Sequence, residues 1–436
     1  MKELKELSKE INDLIKAKVG GSHLYLQAIN PHAKLKTEVS KLEKLYGKKY
    51  NLEIKNFIAC YGSALLKSDL GFSYSRDRTV YNNFNKGLQN RKPASYRRTF
   101  KLLDLLEEDG FIENYVGYKD IVQGKSLTSC CVFTEKLLNF LDKDLILKHS
   151  KVYDNPSVIV RDSQGNNLKN IQGIFKVRKE VEEINTWLSK YTFRIGAYDK
   201  KINLTRIFNE SLQKGGRFYF GILQTISSEK RKSYQIHLNS VAELDYSSQH
   251  FGIMACLAGV TLPEDFKPYE VDISDLISMK EGYCLKKQRK ILKLACLMLV
   301  NSGNPTLSLK NAWKGHIESI TKSLDKKDFK KAKENPFYGV KGMENCGEII
   351  NRLKLHNCYA DQFFKKKDMW GVLQHLDSQI MLNILMKMKD LDIPCLPYHD
   401  SLVVSSKQVK ELEGVMLSAW EEVLGTKDNC RIDRKY

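Results

Sequence analysis

The chain is 436 residues long, 42% apolar and 28% charged, with 71 lysines and arginines against 52 aspartates and glutamates and a formal net charge of +19. That length accommodates two or three domains with substantial cores, and the apolar share excludes a disordered chain. The basic excess points to a polyanionic partner, nucleic acid ahead of a membrane surface.

No run of about eighteen apolar residues and no signal-peptide core stands in the sequence, so a soluble, intracellular, cytoplasmic protein with no membrane partner is expected. Ten cysteines are scattered without a Cys-x-x-Cys pair, and only Cys130 and Cys131 are adjacent. This is neither a zinc pattern nor a disulfide framework, and free thiols follow.

In residues 1–50, Leu4, Leu7, Ile11, Leu14 and Ile15 recur at helical spacing up to Gly20-Gly21, and a second helical run covers about 34–46. Residues 51–145 follow the order of a winged helix-turn-helix. A helical stretch from Asn51 to Lys67 precedes a capped helix that starts at Ser95 and stops at Gly110. A strand from Phe111 to Val116, a loop with Lys119, Gly124 and Lys125, a strand from Leu127 to Phe133 and a helix from Thr134 complete the order. Arg97, Arg98 and Lys101 fall in the first turns of the 95–110 helix, where such helices meet DNA. A small α+β domain with basic solvated faces fits the same residues.

Residues 146–205, with Pro156, Asp162-Ser-Gln-Gly165 and a helix from Val177 to Leu188, read as a connector. From 206, Gly215-Gly216-Arg217 offers a close backbone approach and a guanidinium for a phosphate. Lys230-Arg231-Lys232 reads as a solvated charged loop. Next comes an apolar strand ending in Asp245, with Ser247 or Ser248 as N-cap of a helix whose Phe251, Met254, Cys256 and Leu257 face a core.

Residues 261–369 are helical and basic, and Arg289 and Lys293 share one helix face at i and i+4. Such a pair holds a triphosphate, the lysine as a point charge and the arginine as a fork. From 370, a long helix with Gln374, Asp377 and Gln379 as polar exceptions leads to two short apolar runs flanking His399-Asp400. That is a hairpin with a turn of poor folding chemistry, since tight hairpins favour Asn-Gly or Asp-Gly, and function is the suspect where local rules break. Two aspartates from separate strands, Asp245 and Asp400, suit a pair of oxygen-seeking cations and phosphoryl or nucleotidyl transfer.

Asp245-Tyr246-Ser247 followed by Ile253-Met254-Ala255 resembles motif A of the family A DNA polymerases, the DNA polymerase I type. Tyr398-His399-Asp400-Ser401 resembles motif C, and its His-Asp-Ser is the form usual in the phage-type single-subunit RNA polymerases. Gln288-Arg289-Lys290-Ile291-Leu292-Lys293 is similar to motif B, and Gly216-Arg217 with Leu223-Gln224-Thr225-Ile226 to the elements preceding motif A.

The resemblance implies an α+β right-hand polymerase. Its palm, with an antiparallel sheet, would be split across 206–260 and 370–436, its helical fingers would span 261–369, a thumb-like element would lie in 146–205, and the winged-helix-like module would precede it. It also implies a template-directed DNA polymerase working on a DNA primer-template and nucleoside triphosphates, with two Mg²⁺ for which Mn²⁺ can substitute. Replication proteins are further expected partners. Asp245, Asp400 and the Tyr246 backbone carbonyl would hold the metals; Arg289, Lys293, His250 and Asn301 would bind the nucleotide; Arg217, Gln224 and His399 would meet primer and template.

None of the acid motifs of the family's proofreading exonuclease stands before residue 200, so no such activity is expected. Three departures bear on the sugar: Leu297 and Asn301 replace aromatic residues past the lysine, and His250 replaces the glutamate that helps exclude ribonucleotides. Two rivals stay open, a primase or small RNA polymerase on the same fold, and a non-catalytic DNA-binding replication initiator.

Overall fold

Capped helical stretches and short apolar runs fold into a mixed α+β molecule whose sheets are mainly antiparallel. The computed structural model describes the chain from Lys2 to Tyr436 except residues 4–6, 8, 25–30, 77, 79–94, 121–124, 153–155, 281–283, 326–328, 365 and 367. Leu4 and Gly124 therefore lie outside the described residues.

The first third contains β1 (Lys2–Glu3), β2 (Gly71–Tyr74), β3 (Ile112–Val116), β4 (Tyr118–Asp120), β5 (Lys125–Leu127) and β6 (Ser129–Phe133). Four of them form one sheet in the order β1-β3-β6-β2, and β4 and β5 form a separate hairpin. The helix expected from the very start begins at Lys9 instead, because Lys2 and Glu3 pair in parallel with Tyr115 and Val116. Ser95 caps the Tyr96–Glu108 helix by accepting from the Arg98 backbone N–H, and Gly110 turns the chain out of it at φ +72°. The apolar faces of this helix and of the Asn51–Leu66 helix meet the sheet through Phe57 on Phe72, Tyr61 on Phe133 and Phe100 on Tyr74.

The body contains β7 (Val158–Arg161), β8 (Phe193–Ile195), β9 (Tyr198–Lys200), β10 (Thr205–Asn209), β11 (Gly215–Tyr219), β12 (Gln235–Ile236), β13 (Asn239–Tyr246), β14 (Ser278–Met279), β15 (Val340–Lys341), β16 (Cys395–Tyr398), β17 (Ser401–Ser405) and β18 (Ile432–Arg434). A seven-stranded sheet runs β16-β17-β13-β12-β8-β9, with β18 also on β13, and β11-β10-β7 form a smaller sheet. Two strands of the larger sheet, β8 and β9, thus come from the span read as a connector. The long Met369–Asp390 helix buries Leu373, Ile380, Ile384 and Leu385 in this core, and the Val409–Leu424 helix adds Leu412, Met416 and Trp420.

Gly216 shows why this helix can sit so close. A Cβ there would lie 2.6 Å from the Phe208 ring and 2.8 Å from Ser378 Oγ, and its φ is +93°. Only glycine fits. The close approach expected for a ligand is made by the helix.

The first third is tied to the body by a buried ion pair, Lys200 Nζ to Asp69 Oδ1 at 2.7 Å, with Ser22 donating twice to Asp69 Oδ2. All ten cysteines are free thiols. Among the described residues no helix is long and apolar enough to cross a membrane.

Candidate active site

Strand β13 carries the first aspartate because its alternation changes character at the end: Val241, Ala242 and Leu244 are buried, and Asp245 reaches the rim. It pairs antiparallel with β17, Asp245 opposite Ser401, and with β18, Asp245 opposite Asp433. The expected β16–β17 hairpin forms with Tyr398 opposite Ser401, leaving His399 and Asp400 as its turn. His399 adopts φ +63°, a conformation that favours glycine and that a histidine holds at a cost. The Tyr246 N–H donates to the Asp400 carbonyl at 3.1 Å, which brings the turn against the end of β13. The Tyr246 ring is core: its hydroxyl donates to the Met416 carbonyl at 2.7 Å, so only its backbone is left to serve a site.

Burial first, and then the Asp400 charge, push the Asp245 carboxyl up to about 6, against the pull of Lys435. Asp245 Oδ2 lies 3.1 Å from Lys435 Nζ, while Oδ1 is buried with no hydrogen-bond partner. Two residues back on the same face, Glu243 is fully buried and fully used. Arg231 donates to both of its oxygens at 2.9 and 2.7 Å, and Lys435, Ser401 and Tyr436 donate at 2.9, 2.8 and 2.9 Å. Burial opposes ionisation of Glu243, and these donors overcome it and bring the carboxyl down to about 2. Arg231, expected in a solvated loop, is therefore a buried anchor of this cluster.

The Leu285–Asn301 helix buries Ile291, Leu292, Ala295 and Leu299 and leaves Arg289, Lys293, Leu297 and Asn301 exposed along one stripe. Desolvation and then Arg289 hold the Lys293 ammonium below its ordinary value, while Asp245 and Asp400 pull it back up, which sets this stripe in the field of both aspartates. Tyr269 lies under the pair, its ring centre 5.8 Å from the Arg289 guanidinium and 5.4 Å from Lys293 Nζ.

Other expected contacts are committed within the chain. Arg217 donates through Nε to Asp377 Oδ2 at 2.7 Å, and the Asp377 side chain is 1% exposed. His250 Nε2 lies 3.6 Å from the same oxygen and 3.4 Å from the Arg217 guanidinium. His399 is exposed, with the Tyr219 ring edge-on at 5.8 Å. Gln224 is buried, its amide donating to the Phe218 carbonyl at 3.0 Å and accepting from the Phe220 N–H. Ser248 begins its helix at φ +53° without a side-chain cap bond. Arg97, Arg98 and Lys101 are exposed on the Tyr96–Glu108 helix in the first third; Arg98 pairs with Glu53 at 3.1 Å and Lys101 lies 4.0 Å from Glu108.

Asp245, Asp400 and the unpartnered Oδ1 suit a hard cation that keeps most of its other ligands from water or substrate. Among the described residues no cluster of three or more His, Cys, Asp or Glu offers an all-protein cage. Sequence reasoning missed Glu243, Tyr269 and Lys435, and singled out Asp377 only as a polar exception on the long helix. Glu243 had a signal, a charge in the buried register of an apolar strand; Lys435 had none.

No family model and no curated protein matches this chain. Among solved structures it is similar to the POL domain of Pol1 from M. smegmatis in complex with DNA primer-template and dNTP, at 13% identity and a TM-score of 0.29. The match covers 60% of this chain and 50% of that one, so the chain spans about half the length of the structure it matches.

Proposed function

We propose that the chain is a template-directed DNA polymerase of compact right-hand type, with its palm in 206–260 and 370–436, its fingers in 261–369 and a winged-helix-like module in 51–145. The observation that carries this reading is the meeting of Asp245, with a buried unpartnered oxygen, and the Asp400 turn within the field of the exposed Arg289–Lys293 stripe.

Asp245 and Asp400, with the Tyr246 backbone, would hold Mg²⁺. When bound, the metal supplies charge stabilisation for attacking and leaving oxygens and lowers the pKa of a coordinated hydroxyl. Arg289 and Lys293 bind the triphosphate and neutralise charge as it builds towards the leaving pyrophosphate. The Leu297 and Asn301 positions continue that stripe towards sugar and base. Asp377 fixes Arg217 and His250 in one orientation, so that His250 presents a defined edge to the sugar pocket. Arg97, Arg98 and Lys101 meet DNA phosphates on the N-terminal module.

A second reading, the same reaction with ribonucleotides, as in a primase, is favoured by His250. No carboxylate stands at its position, and its ring is held by Asp377 and Arg217.

The test is extension of a labelled primer on a DNA template with Mg²⁺, offered deoxynucleotides, ribonucleotides, or ribonucleotides without primer. Extension with deoxynucleotides only, lost in Asp400→Asn, is the expected result. Primer-free products from ribonucleotides move the reading to a primase. Absence of product under all conditions, with DNA still bound, leaves a non-catalytic initiator.

A further inference from the structure

Lys435 is placed by backbone pairing: its N–H donates to the Glu243 carbonyl at 2.9 Å, continuing the ladder of β18 on β13. Its ammonium bridges Glu243 Oε1 at 2.9 Å and Asp245 Oδ2 at 3.1 Å. The Glu243 charge is already met by the two-pronged Arg231 guanidinium, itself buried. The charge of Lys435 is thus surplus at Glu243, and the acid it serves is Asp245.

We propose that Lys435 is a tethered cation that competes with divalent metal for Asp245 Oδ2 and so sets how much free metal the carboxylate site needs. This rests on the assignment of Asp245 and Asp400 as metal-holding residues. Two cations cannot share one carboxylate oxygen at contact distance without strong mutual repulsion. The arrangement allows the ammonium to yield, because Glu243 Oε1 remains as its second acceptor when it leaves Oδ2. Oδ1, buried and without a partner, is the Asp245 oxygen that no other cation holds, and Oδ2 becomes available only as Lys435 withdraws. Lys435 is in this sense a positioning residue, acting on the metal through Asp245.

The experiment is Mn²⁺ binding to the full chain without nucleotide or DNA, followed by the loss of the free-ion electron paramagnetic resonance signal. Lys435→Met is expected to bind Mn²⁺ at least about tenfold more tightly than the unaltered chain, since removal of one positive charge beside the site strengthens its field. Lys435→Arg, which keeps the charge, is expected to stay within about threefold of the unaltered chain. Lys435→Gln keeps a donor for Glu243 while losing the charge, and serves where the methionine variant does not fold. Neutral variants that bind Mn²⁺ no more tightly than the unaltered chain, while Asp245→Asn and Asp400→Asn weaken binding, overturn the role of Lys435 alone. Mn²⁺ binding indifferent to both aspartate substitutions overturns the metal site itself, and with it the proposed function.

Discussion

Glu243 and Asp245 leave one strand two residues apart and face the same way, yet their surroundings give them opposite characters. At the inner position every carboxylate lone pair in reach of a donor is used, and the acid is held down to about 2. At the outer position one oxygen is left bare, a second acid stands close by, and the carboxyl rises to about 6. A satisfied buried carboxylate holds strands together, whereas an unsatisfied one is kept at a cost to stability and is available for chemistry. The difference comes from partners supplied by distant parts of the chain.

The largest effect that would break this contrast is on activity. Asp400→Asn is expected to lower primer extension at least about 10⁴-fold, roughly 5.5 kcal/mol of barrier, while DNA affinity by fluorescence anisotropy changes little. A variant that retains synthesis would remove the outer position from the chemistry. Glu243→Gln comes next: it leaves the Arg231 guanidinium buried without its carboxylate partner, and is expected to destabilise the fold by about 3–5 kcal/mol in urea unfolding.

Asp245→Asn sharpens the contrast in the other direction. It removes a carboxylate that the fold raises in pKa, so the metal-free variant is expected to be more stable than the unaltered chain at pH 7 by about 1–3 kcal/mol. The two acids also respond oppositely to pH. The Asp245 carboxyl lies above its ordinary 3.8, so its penalty is absent below that value, grows as pH rises towards about 6 and is complete above it. The Glu243 carboxyl lies below its ordinary 4.5, so its contribution is fully present above that value and is lost as pH falls towards about 2. Urea unfolding from pH 2.5 to 7.5 is therefore expected to show a stability maximum near the ordinary carboxylate range, and Asp245→Asn is expected to flatten its upper limb. The smallest change is Ser401→Ala, which removes one donor from Glu243 and is expected to cost about 1 kcal/mol with extension nearly unaffected.

The elements that sequence made legible are those with strong local chemistry. The cap at Ser95 and the stop at Gly110 bound a helix of clear apolar period, and that helix forms where the pattern places it. The flanking runs of His399-Asp400 pair as a hairpin, and the unfavourable residues sit at its turn. The stripe of Arg289 and Lys293 is exposed on one face because Ile291, Leu292 and Ala295 of the same helix are apolar and turn into the core. Expectations failed where a residue's role depends on what packs beside it. Arg231 looked solvated and is buried on Glu243, and Gly216, read as an approach to a ligand, makes room for a helix.

The sequence by itself determined that this is a basic α+β chain with two aspartates at the ends of strands and a cationic pair on a helix, because periodicity, capping and turn chemistry are local and readable in a few residues. Only the tertiary structure decided which oxygen of Asp245 is bare, that Arg217 and His250 lean on Asp377, and that Lys435 reaches the carboxylates from the last strand. Those contacts join residues separated by tens to hundreds of positions, and their energies depend on burial and distance, which exist only once the chain has folded.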